Sequence, residues 1–270
     1  MWGFEDIAHD DVDDEPDDEL PFVDKTTRVT VLTGAGISAE SGVPTFRGAQ
    51  GIWNDENMAK LATPRGFLED PARGWAFYND RRVNMGGVGP NPAHVSLAQF
   101  EKAGYDIVVI TQNIDGLHAA AGSRNILELH GSIWEIKCSN AECRLKIYED
   151  REIPMSDLNP KCEVCGSPLR PNVVFFEEQL DPFIVMEAEK RSMESDVFLI
   201  VGTSGVVYPA AGFAHVARVY GARLYDINVE PSALSGICHG SVTGKAGDVL
   251  PQFLSELTNG EFKPDLNEPD

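Results

Sequence analysis

Four of the five cysteines fall in two close pairs, Cys138-x4-Cys143 and, 18 residues later, Cys162-x2-Cys165. Four thiolates at this spacing suit a tetrahedral structural zinc, and a shell closed by four sulfurs leaves no position for a reacting water. A disulfide framework is the weaker reading in a chain with no secretory leader pattern. Cys238 stands apart and reads as a small buried hydrophobe. A second group of residues suits phosphate chemistry. Gly34-Ala35-Gly36-Ile-Ser-Ala39 directly follows the apolar run Arg28–Thr33, and small residues at such a turn let backbone N–H groups approach a pyrophosphate. A hydride-transferring dinucleotide fold then needs an acidic residue at the end of a second strand. Here the chain continues as a loop-like Glu40-Ser-Gly-Val-Pro-Thr-Phe-Arg-Gly48, which disfavours an ordinary dehydrogenase. Histidine is the side chain whose ordinary pKa suits acid–base work near neutrality. The chain has six histidines, at positions 9, 94, 118, 130, 215 and 239.

These residues need a scaffold. Apolar, β-branched runs recur at Arg28–Thr33, Asp106–Thr111, Val197–Val201 and Arg223–Asn228. Near-continuous apolarity with polar ends predicts buried parallel strands. Stretches with helical spacing lie between them, at Pro71–Asn84, Asn91–Ala103 and Pro209–Tyr220. The alternation predicts an α/β fold, a Rossmann-type doubly wound parallel sheet with ligands at the carboxyl ends of its strands. The cysteine-bearing segment at about 136–170 interrupts it and reads as a small inserted zinc-binding domain. The expected organisation is a disordered acidic tail over 1–24 and a catalytic domain over 25–270.

The formal net charge is −21. Eleven of the 43 acidic residues lie within Met1–Asp24, which has no Lys or Arg, so the remainder carries close to −10. Such a tail repels itself and has little to bury; Trp2, Phe4 and Ile7 leave room for a docking motif, and its partner is unknown. An acidic body disfavours nucleic acid and anionic membranes as direct partners and favours basic, lysine-bearing ones. No apolar run is long enough to span a bilayer, and a cytoplasmic location is expected.

Gly34 through Gly48 resembles the NAD-binding signature of the sirtuin family almost residue for residue. Thr111-Gln-Asn-Ile-Asp-Gly-Leu-His118, Leu129-His-Gly-Ser132, Gly202-Thr-Ser204, Val207-Tyr-Pro209 and Ile227-Asn-Val-Glu230 follow in the family's order. The resemblance runs from about Arg28 to Leu254. It implies a large Rossmann-type domain and a small zinc domain, with NAD and an acylated lysine meeting between them. By this resemblance Gly34, Ala35, Gly36 and Ala39 approach the dinucleotide, Phe46 shields the reactive ribose, and Arg47 faces phosphate. Gln112, Asn113, Ile114 and Asp115 position the nicotinamide ribose and carboxamide. Gly202, Thr203 and Ser204, with Asn228, Val229 and Glu230, hold the adenosine half, and Ala246 lies near the adenine. His130 is the general base, supported in catalysis by Asn113 and Asp115, while His94 and His118 serve packing or hydrogen bonding. Cys138, Cys143, Cys162 and Cys165 hold one structural zinc.

The substrate side carries a subclass signature and a departure. Ala62, Tyr78 and Arg81 match the positions by which one sirtuin subgroup, the desuccinylase/deacetylase class, accepts negatively charged acyl groups. Val174 and Phe176 are expected to contact the peptide. In Arg170-Pro-Asn-Val-Val-Phe-Phe-Glu-Glu178 the family's Trp is Phe175 and its Gly is Glu177. A glycine there permits a backbone conformation that Glu resists. Gly205 is a candidate to restore room nearby. The expected reaction consumes NAD and removes acetyl, succinyl, glutaryl or malonyl groups from protein lysines, releasing nicotinamide and O-acyl-ADP-ribose. Mono-ADP-ribosyl transfer and a catalytically silent NAD-binding module remain as alternatives.

Overall fold

The computed structural model describes residues 19–45 and 60–266. Phe46, Arg47 and the acidic stretch before Glu19 lie outside the described residues.

Six strands form one parallel sheet: β1 (Arg28–Thr33), β2 (Asp106–Thr111), β3 (Ile126–Glu128), β7 (Val197–Val201), β8 (Arg223–Asn228) and β9 (Gly240–Thr243). Their order is β3-β2-β1-β7-β8-β9. The strand order reverses between β1 and β7, so the crevice beyond their carboxyl ends is where such a sheet binds ligands. The four strands expected from apolar runs form with those boundaries. β3 and β9 are short edge strands whose sequences carry too little apolar patterning to stand out.

Helices α3 (Pro92–Lys102) and α7 (Ala246–Leu257) pack together on one face, giving a core with Val29, Val31, Leu97, Phe100, Leu199, Leu250 and Leu254. α5 (Pro182–Met193) and α6 (Ala210–Val219) cover the other face around Leu32, Ile110, Phe198, Ile200 and Phe213. A third core joins α1 (Pro64–Glu69) and α2 (Pro71–Met85) to a small antiparallel sheet, β4 (Gly131–Cys138), β5 (Tyr148–Glu149) and β6 (Leu169–Val173), in the order β5-β4-β6. Four of these helices start by one local rule. Thr63, Asp70, Asn91 and Asp181 each accept a backbone N–H from the first turn, and each is followed by Pro at its start. The side chain satisfies an orphan donor, and Pro occupies a position where an N–H is not needed.

The acidic tail ends earlier than Asp24. Val23 is fully buried in the first core, and its N–H donates to Leu257 O at 2.7 Å. The body therefore already includes this residue. Apolar Phe22 and Val23 interrupt the charge run, which is where burial becomes favourable. Glu19 O accepts from Arg223 Nη2 at 3.1 Å. Arg223 opens β8, so the chain enters the body at the amino ends of the strands, opposite the crevice.

Candidate active site at the carboxyl ends of the sheet

The crevice is built first from main chain. The turn after β1 lies against the turn after β7: Gly34 N–H donates to Val201 O at 3.1 Å and Gly36 N–H to Gly202 O at 2.8 Å. A Cβ on Gly36 would stand 2.6 Å from Gly202 O, and one on Gly34 would stand 2.7 Å from Thr203 Cβ. The contact therefore requires glycine on steric grounds. Behind it a 3-10 helix, Ala35–Ser41, carries Ala35, half-buried, and Ala39, exposed.

From β2 the chain delivers Gln112, Asn113, Ile114 and Asp115. Asn113 is buried, and its Nδ2 donates to Gly34 O and to Ser38 Oγ, both at 3.1 Å. Both amide hydrogens are thus committed, while Oδ1 is buried without a partner among the described residues. Ser38 Oγ in turn donates to Asp115 Oδ2 at 2.8 Å. Asp115 also accepts Leu117 N–H at 2.9 Å, and its carbonyl accepts Trp134 Nε1–H at 2.7 Å. Desolvation raises the Asp115 carboxyl above its ordinary range, against these hydrogen bonds. Ile114 is buried beside Ile133 in the third core.

Two buried histidines complete this network. His94 Nδ1 accepts Asn91 N–H at 3.3 Å, so Nε2 is the protonated nitrogen facing Ser38 Oγ, also at 3.3 Å. Thr33 Oγ1 donates to Thr111 Oγ1 at 2.8 Å, which leaves it to accept from His118 Nε2 at 3.0 Å. Thr111 Oγ1 accepts Asn113 N–H at 3.1 Å as well. Burial pushes His94 down to about 4 and His118 well below the ordinary imidazole value. Both are neutral packing and hydrogen-bonding groups.

His130 follows β3. Its Nδ1–H donates to Gln112 O at 2.7 Å, a bond that fixes the tautomer and leaves Nε2 as the basic nitrogen. Desolvation lowers its pKa, opposed by the Gln112 carbonyl. The Gln112 side chain reaches Thr203 Oγ1 at 2.9 Å, joining the β2 and β7 turns.

The far side of β7 receives Gly202, Thr203 and Ser204, of which Thr203 is buried and Ser204 exposed. At the end of β8, Val229 and Glu230 are exposed, and Asn228 Nδ2 donates to Asp226 Oδ1. Buried Asp226 also accepts from the hydroxyls of Ser232 and Ser235, pinning the loop after Glu230. Ala246 opens α7, and Glu40 accepts Gly247 N–H there at 2.7 Å, occupying the helix N-terminus. The motif reading did not single out Ser38, Thr33, Glu40 or Asp226. Asp226 carried a signal, a charged residue inside an apolar strand; the others show only once distant turns are brought together.

The residues expected to meet the acyl group lie in or beside the third core. Ala62 and Tyr78 are buried, and Tyr78 stacks on Phe175 with ring centroids 5.7 Å apart. Arg81 lies over the Phe77 ring at 3.3 Å and donates to Phe77 O at 2.7 Å. Burial lowers Arg81 to about 10, and the Tyr78 hydroxyl is raised, chiefly by desolvation. The adjacent Arg82 is fully buried, bound to Ile133 O and Asp150, and is structural. Val174 N–H donates to His130 O at 2.9 Å, and Phe176 N–H to Ala62 O at 2.8 Å. Glu177 has φ +71°, the left-handed conformation in which a glycine would be strain-free. Gly205 also has positive φ but packs on Leu234, so it serves its own turn.

All four cysteine sulfurs of the small sheet lie within 4.8 Å of one another. Cys138–Cys165 and Cys143–Cys162 are 3.5 Å apart, sulfur to sulfur. A tetrahedral site with zinc–sulfur bonds of about 2.3 Å needs separations of about 3.8 Å, so the donor set and its geometry fit a structural zinc. Cys238 is half-buried against the second core and donates to Leu234 O, with desolvation pushing its thiol up to about 12.

The "Sir2 family" model, the sirtuins, matches residues 34–209. An "NAD-dependent protein deacylase" of Pyrococcus furiosus is 45% identical over 235 residues, covering 86% of this chain and 94% of the relative. A solved Sir2 homologue in complex with ADP-ribose superposes with TM-score 0.80 at 39% identity, covering 86% of this chain and 92% of that one. A Sir2 structure holding a deacetylated p53 peptide and 3'-O-acetyl ADP-ribose gives 0.74 at 32% identity, covering 87% and 93%. With this family model and these relatives covering most of its length, the chain belongs to the Sir2 family.

Proposed function

We propose that this protein is an NAD-dependent protein-lysine deacylase acting on acylated lysines in proteins or peptides. The observation that carries the reading is the pairing of His130, whose Nε2 is left basic by the Gln112 bond, with Asn113, whose Oδ1 is a buried, unsatisfied acceptor. An acceptor of that kind fits a ribose hydroxyl. NAD supplies a ribose carbon whose bond to nicotinamide is broken, and the acyl-lysine amide oxygen is the incoming nucleophile.

The residues then divide the work. Gly34, Ala35, Gly36 and Ala39, with Gly202, Thr203 and Ser204, receive the dinucleotide, while Asn228, Val229, Glu230 and Ala246 take its adenosine end. Gln112, Asn113, Ile114 and Asp115 hold the reacting half, and Ser38 keeps Asn113 and Asp115 in register. Such positioning supplies much of the acceleration for a weak amide nucleophile. His130 removes a proton from a ribose hydroxyl as it attacks the acyl carbon, whose C=N bond becomes single. One water then adds as the acyl carbon–nitrogen bond breaks, freeing the lysine amine and leaving the acyl group on the ribose. Ala62 leaves room for a long acyl chain, and Tyr78 and Arg81 meet a terminal carboxylate; the arginine must turn outward from Phe77 O to do so. Val174 and Phe176 flank the peptide. A zinc held by Cys138, Cys143, Cys162 and Cys165 would tie the small sheet together, and its shell of four sulfurs would leave no position for a reacting water. The acidic body favours basic protein substrates and disfavours nucleic acid. Among the described residues no helix is long and apolar enough to cross a membrane.

The purified protein is incubated with NAD and matched acetyl-, succinyl- and glutaryl-lysine peptides, with products read by mass. Free lysine, nicotinamide and acyl-ADP-ribose in equal amounts are expected. A peptide gaining the mass of ADP-ribose, without free lysine, would replace this reading with ADP-ribosyl transfer.

A further inference from the structure

The two neighbouring glutamates after Phe176 differ in every respect that matters to the fold. Glu178 is fully engaged: its carboxylate accepts Arg170 Nη1 at 2.6 Å, Arg170 Nη2 at 2.8 Å and Phe175 N–H at 2.8 Å. These bonds lower its pKa against desolvation and clamp the turn, with Arg170 stacked 3.5 Å over the Phe175 ring. Glu177 is exposed, and its side chain makes no hydrogen bond or salt bridge to any described residue. It nonetheless holds φ +71°. A left-handed backbone is unfavourable for a residue other than glycine. Asn259, the other non-glycine residue at positive φ among those described, follows α7, where asparagine is an ordinary helix terminator. Glu177 is held there by the turn around it, which Glu178 N–H closes onto Phe175 O at 3.1 Å, and not by any bond of its own side chain.

Its location is informative. Three residues before it and one before it, the backbone is tied to the site: Val174 N–H binds His130 O, and Phe176 N–H binds Ala62 O. Phe176 and Val206 present half-exposed apolar surface, and Tyr208 is more exposed still. The nearby cation, Arg65, is close enough to feel the Glu177 charge but is bonded to Glu69 at 2.8 Å. The Glu177 carboxylate therefore points its charge into solvent beside the segment that receives the peptide.

We infer that Glu177 is a specificity-determining residue that selects acyl-lysine substrates with a basic residue beside the modified lysine. The inference rests on the deacylase reading and adds the sequence context of its substrate. An exposed ion pair is worth about two- to fivefold in affinity. It also weakens as salt shortens the screening length.

The test uses the full-length protein, NAD and three acetyl-lysine peptides that differ only in having Arg, Ala or Glu next to the acetylated residue. At low salt kcat/KM is expected to rank Arg above Ala above Glu, with about two- to fivefold per step. The ranking should compress at high salt. Glu177→Gln keeps the shape and removes the charge, so the ratio between the Arg and Glu peptides should fall toward one. Glu177→Lys should reverse it. Thermal melting of each variant separates loss of fold from loss of selectivity. Equal kcat/KM for the three peptides with the natural protein, or an unchanged ratio in Glu177→Gln, would overturn the inference while leaving deacylation intact. No turnover of any peptide would instead overturn the deacylase reading, and this inference with it.

Discussion

The two walls of the crevice are built from different materials. On the nucleotide wall, the turns after β1 and β7 touch main chain to main chain, with Gly36 N–H on Gly202 O and no room for a Cβ. On the proposed acyl wall, Tyr78 stacks on Phe175 and Arg81 lies over the Phe77 ring, side chain against side chain, over a core shared by α1, α2 and the small sheet. A wall made of backbone contacts recognises what every substrate pair has in common, and it fails as a unit. A side-chain wall can be retuned one residue at a time, so specificity belongs there. The difference predicts two kinds of mutant: losses on all substrates from the first wall and losses on particular substrates from the second.

The largest effect is expected where the nucleotide wall meets the chemistry. His130→Ala should lower kcat by about 10²–10⁴-fold on acetyl and succinyl peptides alike. NAD binding, followed by calorimetry, should be largely retained. In the natural protein, desolvation holds the His130 pKa below the ordinary imidazole value. A base with lowered pKa stays neutral to lower pH, so the acid limb of the kcat/KM profile, which reports the free enzyme, should have its midpoint below about 6.5. A midpoint above that value would mean that His130 does not limit the acid side.

Gly36→Ala presses a methyl group against the Gly202 backbone. Overpacking of this kind costs about 1–3 kcal/mol or more, and here neither partner is a flexible side chain. Denaturant unfolding should show that loss, with NAD affinity reduced for every acyl substrate. A variant of natural stability and affinity would show that the two turns do not depend on this contact.

Arg81→Met addresses the other wall. Hydrogen bonds to charged groups are worth about 1.5–3 kcal/mol, equivalent to about a ten- to hundredfold loss for succinyl- and glutaryl-lysine, with acetyl-lysine largely spared. Equal losses on both classes would assign Arg81 to the fold, through Phe77, and would erase the proposed contrast between the walls.

The smallest effect concerns the acidic tail. The chain enters the body near Arg223, at the end of the sheet away from the crevice. Deleting Met1–Asp18 should leave turnover on a neutral peptide within about twofold, well under the tenfold that corresponds to about 1.4 kcal/mol. A deletion extended through Asp24 would also remove buried Val23 and its bond to Leu257, and it should lower the melting temperature. Equal melting temperatures for the two deletions would move the boundary of the body back to Lys25.

Much of the fold was legible in the chain. β1, β2, β7 and β8 are buried on both faces, so each appears as an unbroken apolar run, and the cysteine pairs announce a metal site through spacing alone. The nucleotide-binding motifs were legible for the same reason that they are rigid: a close backbone contact admits almost no residue but glycine. The short edge strands β3 and β9 were not, because an edge strand of three or four residues buries too little to impose a pattern. The polar network behind Asn113 was not either. Ser38, Thr33, Thr111, His94 and His118 come from three separate stretches of the chain, and a hydrogen bond has no signature in sequence until its partners meet.

Sequence by itself determined the family, the parallel order of chemistry along the chain, the four sulfur ligands and the position where Glu replaces Gly. Tertiary structure decided which nitrogen of His130 is basic, why Asn113 has one free acceptor, where the tail ends and that Glu177 bears its strain without an internal partner. The division has one physical origin. Local sterics and burial act on neighbours along the chain and leave periodic traces. Proton placement and unsatisfied polarity depend on which distant groups share a hydrogen bond, and only the folded arrangement fixes that.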